Sequence, residues 1–390
     1  MIKIDLLTTT RAEYGLMRPL IRRMMNDPEI QMRLLVTGTH VDERFGATCR
    51  EIENDGIPIY RKISILGDKE GALFVSGTMA NALNEFTAYF LEEQPDFLMV
   101  DGDRYETMAV CLAAFNANTP IIHLSGGATT EGAADEFYRH AITKMALLHF
   151  PTTEIYRRRV IQLGESPDRV FTVGSLGIEN ILSTKLLTKK ELEDSISFKL
   201  DAPYSLVTFH PVTLEKMTHL EQIDELLAAC DAVPDMKIIF TMANADAGGR
   251  EINRALTEYA KKRPDRVLCV ESLGSLRYLS AMKYCEFVMG NSSSGLIETP
   301  SFKIPTVNIG DRQKGRIKAE SVIDCEPARE SILQAIEKAR SQEFRALCRS
   351  VVNPNGDGDT SRKIVEHVKE YCKANTIDLK KKFYDIDYKL

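Results

Sequence analysis

The fold is decided by the stretch Phe97-Leu-Met-Val-Asp101-Gly-Asp-Arg104, a short apolar strand that ends in charged residues. A helical run to Asn118 follows it, and a second apolar strand, Pro120-Ile-Ile-His-Leu124, leads into Ser-Gly-Gly. Buried strands that alternate with helices are typical of a parallel, doubly wound sheet. In such a sheet, ligands bind outside the carboxyl ends of the strands. We therefore predict an α/β protein with a ligand site where these two strands end.

Acids, bases and cations are concentrated at the ends of these two strands. They are Asp101, Asp103, Arg104, His123, Glu131, Asp135, Glu136, Arg139 and His140. Such a set can transfer protons and hold an anionic substrate, which favours a catalytic site. The alternative is a solvated edge with ordinary ion pairs, because polar loops of this kind are common.

The composition narrows the class of protein. The chain has 390 residues, enough for two domains, and 44% apolar with 27% charged residues is typical of a globular protein. The formal net charge is -6 with both signs mixed along the chain, so we expect no nucleic-acid partner. No apolar run approaches the roughly 18 residues of a membrane span, and the first residues predict a strand rather than a signal peptide. We therefore expect no membrane partner.

The eight cysteines are scattered along the chain. Their spacing fits neither a C-x-x-C pair nor a metal site, so we predict buried thiols in a reducing cytoplasm and no bound metal. The lysine run Lys380-Lys-Lys382 near the end is short and flanked by acids, which predicts a solvated tail.

The first strand ends at Thr8-Thr-Thr10-Arg11, and a helix follows from Leu16 to Met25. A junction of this kind presents backbone N–H groups and the positive end of the helix dipole to an anion, and Arg11 adds a charge. The glycine fingerprint of a dinucleotide site is missing. Arg11 is therefore predicted to bind an anion, with a surface ion pair as the alternative.

Alternating strands and helices continue to Ser175, with a helix predicted over 41–54 and a last short strand at 170–173. A charged helical stretch at 176–203 then leads into a second α/β series. Its predicted strands lie at 204–209, 236–240, 267–270, 287–289 and 305–309, and helices are predicted at 331–339 and 360–371. The pattern predicts two doubly wound domains.

The most informative short motif is Gly290-Asn-Ser-Ser-Ser-Gly295, which follows a strand and opens a helix. Its N–H groups and hydroxyls suit a diphosphate. Glu298 lies in the same helix, where its carboxylate could accept both hydroxyls of a ribose. His210 ends the first strand of this second series. A serine N-cap and a loop histidine are the ordinary interpretations taken singly, but together at strand ends these residues favour a nucleotide.

Together these motifs resemble the UDP-N-acetylglucosamine 2-epimerases, and within them the hydrolysing branch that supplies precursors of sialic or legionaminic acid. The resemblance covers nearly the whole chain. Its motifs are Thr10-Arg-Ala-Glu-Tyr-Gly15, Val36-Thr-Gly-Thr-His40, Gly102-Asp-Arg104, Arg139-His-Ala-Ile-Thr-Lys144, His210-Pro-Val-Thr213, Asn244-Ala-Asp-Ala-Gly248, Gly290-Asn-Ser-Ser293 and Gly310-Asp-Arg-Gln313. The resemblance implies a GT-B-like fold, with the sugar nucleotide in an interdomain cleft. The implied domains are 1–175 and 176–364, with a C-terminal helix at about 365–390 packing back on the first.

The resemblance also implies roles for individual residues. The diphosphate, bound or departing, would be held by Arg11, Arg104, His210, Asn244 and Arg312. Other substrate-binding residues would be Arg139, Asn291, Ser292 and Ser293, with Glu298 on the ribose and Ser275 near the base. The catalytic residues would be Asp103 and Asp135, together with His210.

One departure from the family pattern affects the chemistry. The family usually has His-Ile-Glu-Gly-Gly-Glu or His-Ile-His-Gly-Gly-Glu where this chain has His123-Leu-Ser125-Gly-Gly-Ala128. Neither serine nor alanine takes a proton from carbon at neutral pH. We expect Glu131 to substitute, because it lies in the same loop beside a flexible glycine, with His123 as the next candidate. The alternative for Glu131 is a surface carboxylate.

The implied reaction removes the nucleoside diphosphate from C1 and the proton from C2, passes through a 2-acetamidoglucal, and adds water to release the free 2-epimer. It needs no cofactor. The predicted substrate is UDP-N-acetylglucosamine. Alternatives are a UDP- or GDP-linked N,N′-diacetylbacillosamine, a non-hydrolysing epimerase, a GT-B glycosyltransferase, or a catalytically impaired binding protein. We also expect a homo-oligomer, a dimer or a tetramer.

Overall fold

The structure, a computed structural model, describes residues 1–129, 134–211, 217–243, 249–374 and 377–387. The chain divides into two compact units. Unit 1 comprises Met1–Asn180 and Gly358–Leu390, and unit 2 comprises Ile181–Asp357. The chain thus passes from one unit to the other within the predicted crossover stretch and returns just before the last helix.

Unit 1 is built on a six-stranded sheet in the order β3-β2-β1-β4-β5-β6. The strands are β1 (Ile2–Thr8), β2 (Ile30–Val36), β3 (Ile59–Lys62), β4 (Phe97–Asp101), β5 (Ile121–Leu124) and β6 (Leu148–Phe150). All neighbours pair in parallel. The order of the strands reverses between β1 and β4, and we call the carboxyl ends of these two strands and of β5 beside them the first switch point. Ligands of doubly wound sheets bind at such a point.

The helices of unit 1 cover both faces of this sheet. They are α1 (Arg11–Met25), α2 (Cys49–Asn54), α3 (Gly71–Glu93), α4 (Tyr105–Asn116), α5 (Ala134–Met145), α6 (Glu154–Gln162), α7 (Leu176–Ser183, which crosses into unit 2) and α15 (Thr360–Ala374). Alternate residues of β4 enter different cores: Phe97 and Met99 pack in the core that includes α1 and α15, whereas Leu98 and Val100 pack in the core that includes α3 and α4. Burial on both sides explains why β4 is continuously apolar.

Two predicted elements of unit 1 differ in the structure. The helix expected over 41–54 is replaced by short 3-10 helices at Gly38–Val41 and Glu43–Phe45 followed by α2. The break occurs where Gly46 has a left-handed φ of 85° and Ala47 one of 42°. The strand expected at 170–173 was also wrong, because this segment makes a single parallel bridge, from Val170 to His149, and no ladder.

The C-terminal segment belongs to unit 1. Helix α15 packs against α1, and Lys369 pairs with Asp27 and Glu29. A helix was expected over about 365–390, but α15 ends at Ala374, and residues 377–387 are irregular.

The lysine run at 380–382 lies in this irregular segment. The prediction of a solvated tail was wrong for Lys381, whose ammonium donates to the carbonyls of Lys144 and Ala146 at 2.8 and 2.7 Å. It also donates at 2.7 Å to Glu165, a carboxylate that is only 2% exposed. A buried carboxylate needs compensating charge, which the tail supplies.

Unit 2 repeats the architecture, with the order β12-β11-β10-β7-β8-β9. Its strands are β7 (Tyr204–Thr208), β8 (Lys237–Thr241), β9 (Val267–Val270), β10 (Phe287–Gly290), β11 (Thr306–Ile309) and β12 (Val322–Cys325). Its helices are α8 (Lys189–Ile196), α9 (His219–Asp231), α10 (Gly249–Lys261), α11 (Gly274–Tyr284), α12 (Ser294–Ile297), α13 (Arg329–Arg340) and α14 (Gln342–Ser350). The order reverses between β7 and β10, whose carboxyl ends we call the second switch point. Among the helices of the described ranges, none combines the length and apolar character that a bilayer crossing requires.

Candidate active site

Asp101 is the last residue of β4 and lies buried at the first switch point. Burial raises the pKa of its carboxyl group, and the charge of Asp103 raises it further. The hydroxyl group of Ser125 donates to Asp101 Oδ1 at 2.7 Å. Ser125 stands where the family that the sequence resembles usually has an acid or imidazole, and in this chain its hydroxyl group is bound to a neighbouring carboxylate.

The turn after β5 is tightly packed. Ser125 itself has a left-handed φ of 60°, which is uncommon for a residue with a side chain and costs roughly 1 kcal/mol. A Cβ at Gly126 would lie 3.1 Å from Nδ1 of His123, and one at Gly127 would collide with the carbonyl of Tyr156. Close packing therefore requires glycine at position 127 and leaves little room for a side chain at position 126.

Asp103 is bound to a cation that is itself buried. Nε of Arg139 donates to Asp103 Oδ2 at 2.6 Å, and a second guanidinium nitrogen contacts the same oxygen. The guanidinium also donates to Glu136 at 2.9 Å and to the carbonyl of Ala128 at 2.8 Å. His140 lies 3.0 Å from the other oxygen of Glu136. This arrangement, in which Arg139 joins α5 to the end of β4, holds Asp103 in one orientation and leaves its side chain 23% exposed.

His123 is fully buried in β5. Its Nε2 lies 3.1 Å from the carbonyl of Gly102, and its Nδ1 lies 3.2 Å from the hydroxyl of Thr143. Burial lowers the pKa of the imidazole to about 3, so it is neutral at pH 7. Because a carbonyl only accepts, the proton is on Nε2. The hydroxyl group of Thr143 lies beside Nδ1 and donates its single proton to the carbonyl of Arg139 at 3.0 Å. This placement fits a role in fixing the Asp101–Asp103 turn.

The remaining predicted residues of unit 1 lie closer to solvent. Arg11 is 73% exposed in its side chain and pairs with Glu51 at 2.9 Å, which is the alternative considered from the sequence. Arg104 pairs with the fully buried Glu106 at 3.0 Å. Asp135 is exposed in the first turn of α5. Glu131 lies outside the described residues.

Glu13 is a further acid at the first switch point, and its sequence position predicted no role at the site. It closes the capping box of α1, where its carboxylate accepts from the backbone and hydroxyl group of Thr9. Burial nevertheless raises its pKa to about 7, with Asp101 adding to the shift and Arg104 opposing it. The spacing Thr10-x-x-Glu13 predicts a capping box. The burial of Glu13 near Asp101 could not be predicted from the sequence, because the two residues are distant along the chain.

Asn291 joins the two strands of the second switch point. Its amide oxygen accepts from the backbone N–H of His210 at 2.7 Å, and its amide nitrogen donates to the carbonyl of His210 at 2.8 Å. Gly290 precedes it with a φ of 126°, and a Cβ there would collide with the carbonyl of Thr208. The loop after β10 is thus fixed against the end of β7, with His210 buried beside it.

Polar residues from the loop after β11 and from the start of α12 surround this junction. Arg312 donates at 3.0 Å and Gln313 at 2.8 Å to the carbonyl of Asn291. Ser292 and Ser293 are half-buried at the start of α12. These groups could present donors to an anion at the end of β10.

Glu298 directly follows α12, and one of its carboxylate oxygens accepts from Ser294 at 2.6 Å. Burial raises its pKa, and the bond from Ser294 opposes that shift. Ser275 is exposed in the first turn of α11. Asn244 lies outside the described residues. Across the described ranges, no group of three His, Cys, Asp or Glu side chains is arranged to hold a metal ion.

Comparison with known proteins identifies the class. Residues 22–369 match the family model described as UDP-N-acetylglucosamine 2-epimerase. The structure of UDP-GlcNAc 2-epimerase from Neisseria meningitidis bound to UDP-GlcNAc is similar, with a TM-score of 0.79 at 18% identity over 95% of this chain and all of that one. The fold class, GT-B-like with two doubly wound parallel sheets, is confirmed.

Two relatives are similar over almost their entire length. A polysialic acid biosynthesis protein of Escherichia coli is 42% identical over 99% of this chain and 98% of its own. A GDP/UDP-N,N′-diacetylbacillosamine 2-epimerase (hydrolyzing) of Campylobacter jejuni is 39% identical over 98% of this chain and 99% of its own. The chain belongs to the UDP-N-acetylglucosamine 2-epimerase family, and it is an enzyme of the hydrolysing 2-epimerase type.

Proposed function

We propose that the enzyme converts UDP-N-acetylglucosamine and water to N-acetylmannosamine and UDP. The observation that supports this proposal is the position of the polar motifs: in both units they follow the strands at which the order of the sheet reverses. One switch point carries carboxylates, and the other carries donors and a buried carboxylate. This division suits a sugar that loses a proton and a nucleotide that departs.

The residues of unit 2 would bind the nucleoside diphosphate. Ser292, Ser293 and Arg312 supply donors beside the rigid Asn291 junction, and His210 lies at the same strand end. Charge accumulates on the diphosphate as the bond from C1 to oxygen breaks. Donors that are already fixed stabilise that charge without reorganising, which lowers the barrier to departure. Glu298 would accept from the ribose hydroxyls.

The carboxylates of unit 1 would move the protons. Asp103, held by Arg139, is proposed to take the proton from C2 while the diphosphate leaves, giving the 2-acetamidoglucal. Water then adds, with hydroxyl bonding to C1 and a proton returning to the opposite face of C2. Asp135 or Glu131 would supply that acid, since Ser125 is engaged with Asp101.

A second substrate is favoured by a specific observation, the name of the Campylobacter jejuni relative. In this alternative the sugar carries a second acetamido group at C4, and the nucleotide is UDP or GDP. Both substrates share the 2-acetamido group and the diphosphate, so the same elimination applies. Incubation with each sugar nucleotide, followed by NMR of the products, separates the two. The proposal for UDP-N-acetylglucosamine fails if only the diacetamido sugar is turned over.

Nucleotide binding is tested by calorimetry with UDP and GDP. We expect UDP to bind and His210→Ala or Arg312→Ala to weaken it. A protein that binds neither nucleotide at millimolar concentration would contradict the assignment of unit 2.

Assembly and compartment are also proposals. A homo-oligomer, a dimer or a tetramer, is supported by the family resemblance, and light scattering would test it. A reducing cytoplasm is supported by the eight free thiols.

A further inference from the structure

Helix α12 is held close to the sheet of unit 2 by contacts that leave it little freedom. The hydroxyl group of Thr306 donates to the carbonyl of Gly295 at 2.7 Å. A Cβ at Gly295 would lie 2.8 Å from the methyl group of Thr306, so only glycine allows this approach. Ser294 and Glu298 are four residues apart on and just after this helix, which brings their side chains together.

A tyrosine from another helix completes the cluster. The hydroxyl group of Tyr278, in α11, donates to Ser294 Oγ at 3.0 Å, and Ser294 Oγ donates to Glu298 Oε2 at 2.6 Å. Burial raises the pKa of Tyr278 to about 12, so its hydroxyl group keeps its proton at neutral pH.

Each hydroxyl group has a single proton, which gives the chain of bonds a direction. Because Tyr278 donates to Ser294, the serine proton is directed to Glu298. Hydrogen bonds arranged in series in this way strengthen one another, and a charged acceptor strengthens them further. One oxygen of Glu298 is thereby occupied and the orientation of the carboxylate is set.

We infer that Tyr278 and Ser294 are positioning residues that orient Glu298 to recognise the hydroxyl groups of the ribose, and so make the enzyme selective for ribonucleotides. The inference rests on the proposed role of Glu298. This pairing could not be predicted from the sequence, because Tyr278 lies 20 positions before Glu298, in a separate helix, α11. With phenylalanine at 278, the Ser294 hydroxyl group is free to rotate, and the carboxylate loses its fixed orientation.

The experiment compares the affinities of UDP and 2′,3′-dideoxy-UDP by calorimetry, with the guanine pair run in parallel. The ratio of the two dissociation constants measures recognition of the ribose. We expect a ratio of about 100 for the parent, since two charge-assisted bonds are lost in the analogue, and a ratio about tenfold smaller for Tyr278→Phe. Ser294→Ala should have the same effect, and Glu298→Gln should abolish the preference.

Tyr284→Phe is the matched control. Tyr284 is also half-buried in α11, but its hydroxyl group donates to the carbonyl of Leu187 at 3.1 Å. This variant should keep the parent ratio within about twofold.

Three results would overturn the inference, and they are distinguishable. If Tyr278→Phe weakens both nucleotides equally, Tyr278 only supports the fold. If Glu298→Gln loses the preference while Tyr278→Phe and Ser294→Ala keep it, Glu298 reads the ribose without the other two. If the parent itself has no preference, the proposed role of Glu298 fails, and the inference with it.

Discussion

Replacing Lys381 by methionine tests how much the C-terminal segment stabilises unit 1. Methionine preserves the apolar stem of the side chain and removes the ammonium group, which is bound to two carbonyl oxygens and to Glu165. The pKa of Glu165 is held at about 2, because bonds from His149, Lys144 and Lys381 outweigh the effect of burial. Its carboxylate is therefore ionised at neutral pH and depends on these partners.

The expected loss of stability in Lys381→Met depends on the partners that Glu165 keeps. Breaking a buried ion pair costs roughly 3–5 kcal/mol when a charge is left alone. Glu165 keeps Lys144 at 2.5 Å and His149 at 3.1 Å, and the side chain of Lys381 is already 19% exposed. Burial also lowers the pKa of Lys381, which shows that holding this ammonium group has a desolvation cost. We therefore expect a smaller loss, about 2 kcal/mol in the free energy of unfolding.

For a unit of about 200 residues, a loss of that size lowers Tm by about 4–8 °C. Differential scanning calorimetry measures it, with Lys380→Met and Lys382→Met as controls. These two lysines are exposed neighbours of the same charge, and each should change Tm by about 1 °C or less. Equal shifts for all three lysines would mean that the net charge of the tail matters, and the buried contact of Lys381 does not. No shift for any of them would refute the reasoning.

Three further predictions concern the first switch point. Asp103→Asn should lower kcat about 100- to 10,000-fold and leave the dissociation constant of UDP nearly unchanged, because it removes charge without changing shape; equal losses of binding and rate would make Asp103 structural. Glu131→Gln should lower kcat within the same range and alter its pH profile, and parental turnover would eliminate Glu131. The third is a pH dependence of stability. His123 has a pKa of about 3 when folded against 6.5 unfolded, so the unfolded chain binds more protons and stability falls below pH 6.5. Glu13, with a folded pKa of about 7 against 4.5, acts in the opposite direction, because the folded state binds more protons as pH falls below 7. Urea denaturation at pH 7.5 and 5.5 measures both effects on the free energy of unfolding. Between these pH values His123 should cost the parent about 1.4 kcal/mol, and His123→Gln should remove that loss, whereas Glu13→Gln should remove a gain of similar size. Unchanged pH dependence in both variants would contradict these assignments.

The elements that could be predicted from the sequence are those whose pattern is local. The apolar runs of β4 and β5 are buried on both faces, and both strands form where the sequence predicted them. Strand β12 was missed, because Val322–Cys325 is a short edge strand with an exposed Asp324, so its apolar run is too brief to stand out. Helix α14 was missed as well, and its sequence, Gln342–Ser350, is largely polar.

The geometry of the candidate site was harder to predict from the sequence, because it depends on contacts between residues that are distant along the chain. Asp103 and Arg139 were both identified, but their pairing requires α5 to fold back over the end of β4. Tyr278 lies in α11, whose sequence resembles that of an ordinary helix packed on a hydrophobic core. Lys381 is one of three lysines in a row, and only the tertiary structure shows which one is inserted. The residue types at the strand ends indicated where polar groups would collect, whereas the hydrogen-bond partners of these residues could not be predicted from the sequence.

The most direct test of the proposed reaction is NMR of the products formed from UDP-N-acetylglucosamine in D₂O. Elimination followed by hydration predicts UDP and free N-acetylmannosamine with deuterium at C2, because the C2 proton is lost to an enzyme group and replaced from solvent. The proposal would be contradicted by release of N-acetylglucosamine that retains hydrogen at C2, which is the signature of simple hydrolysis, or by return of an epimerised sugar nucleotide without free sugar.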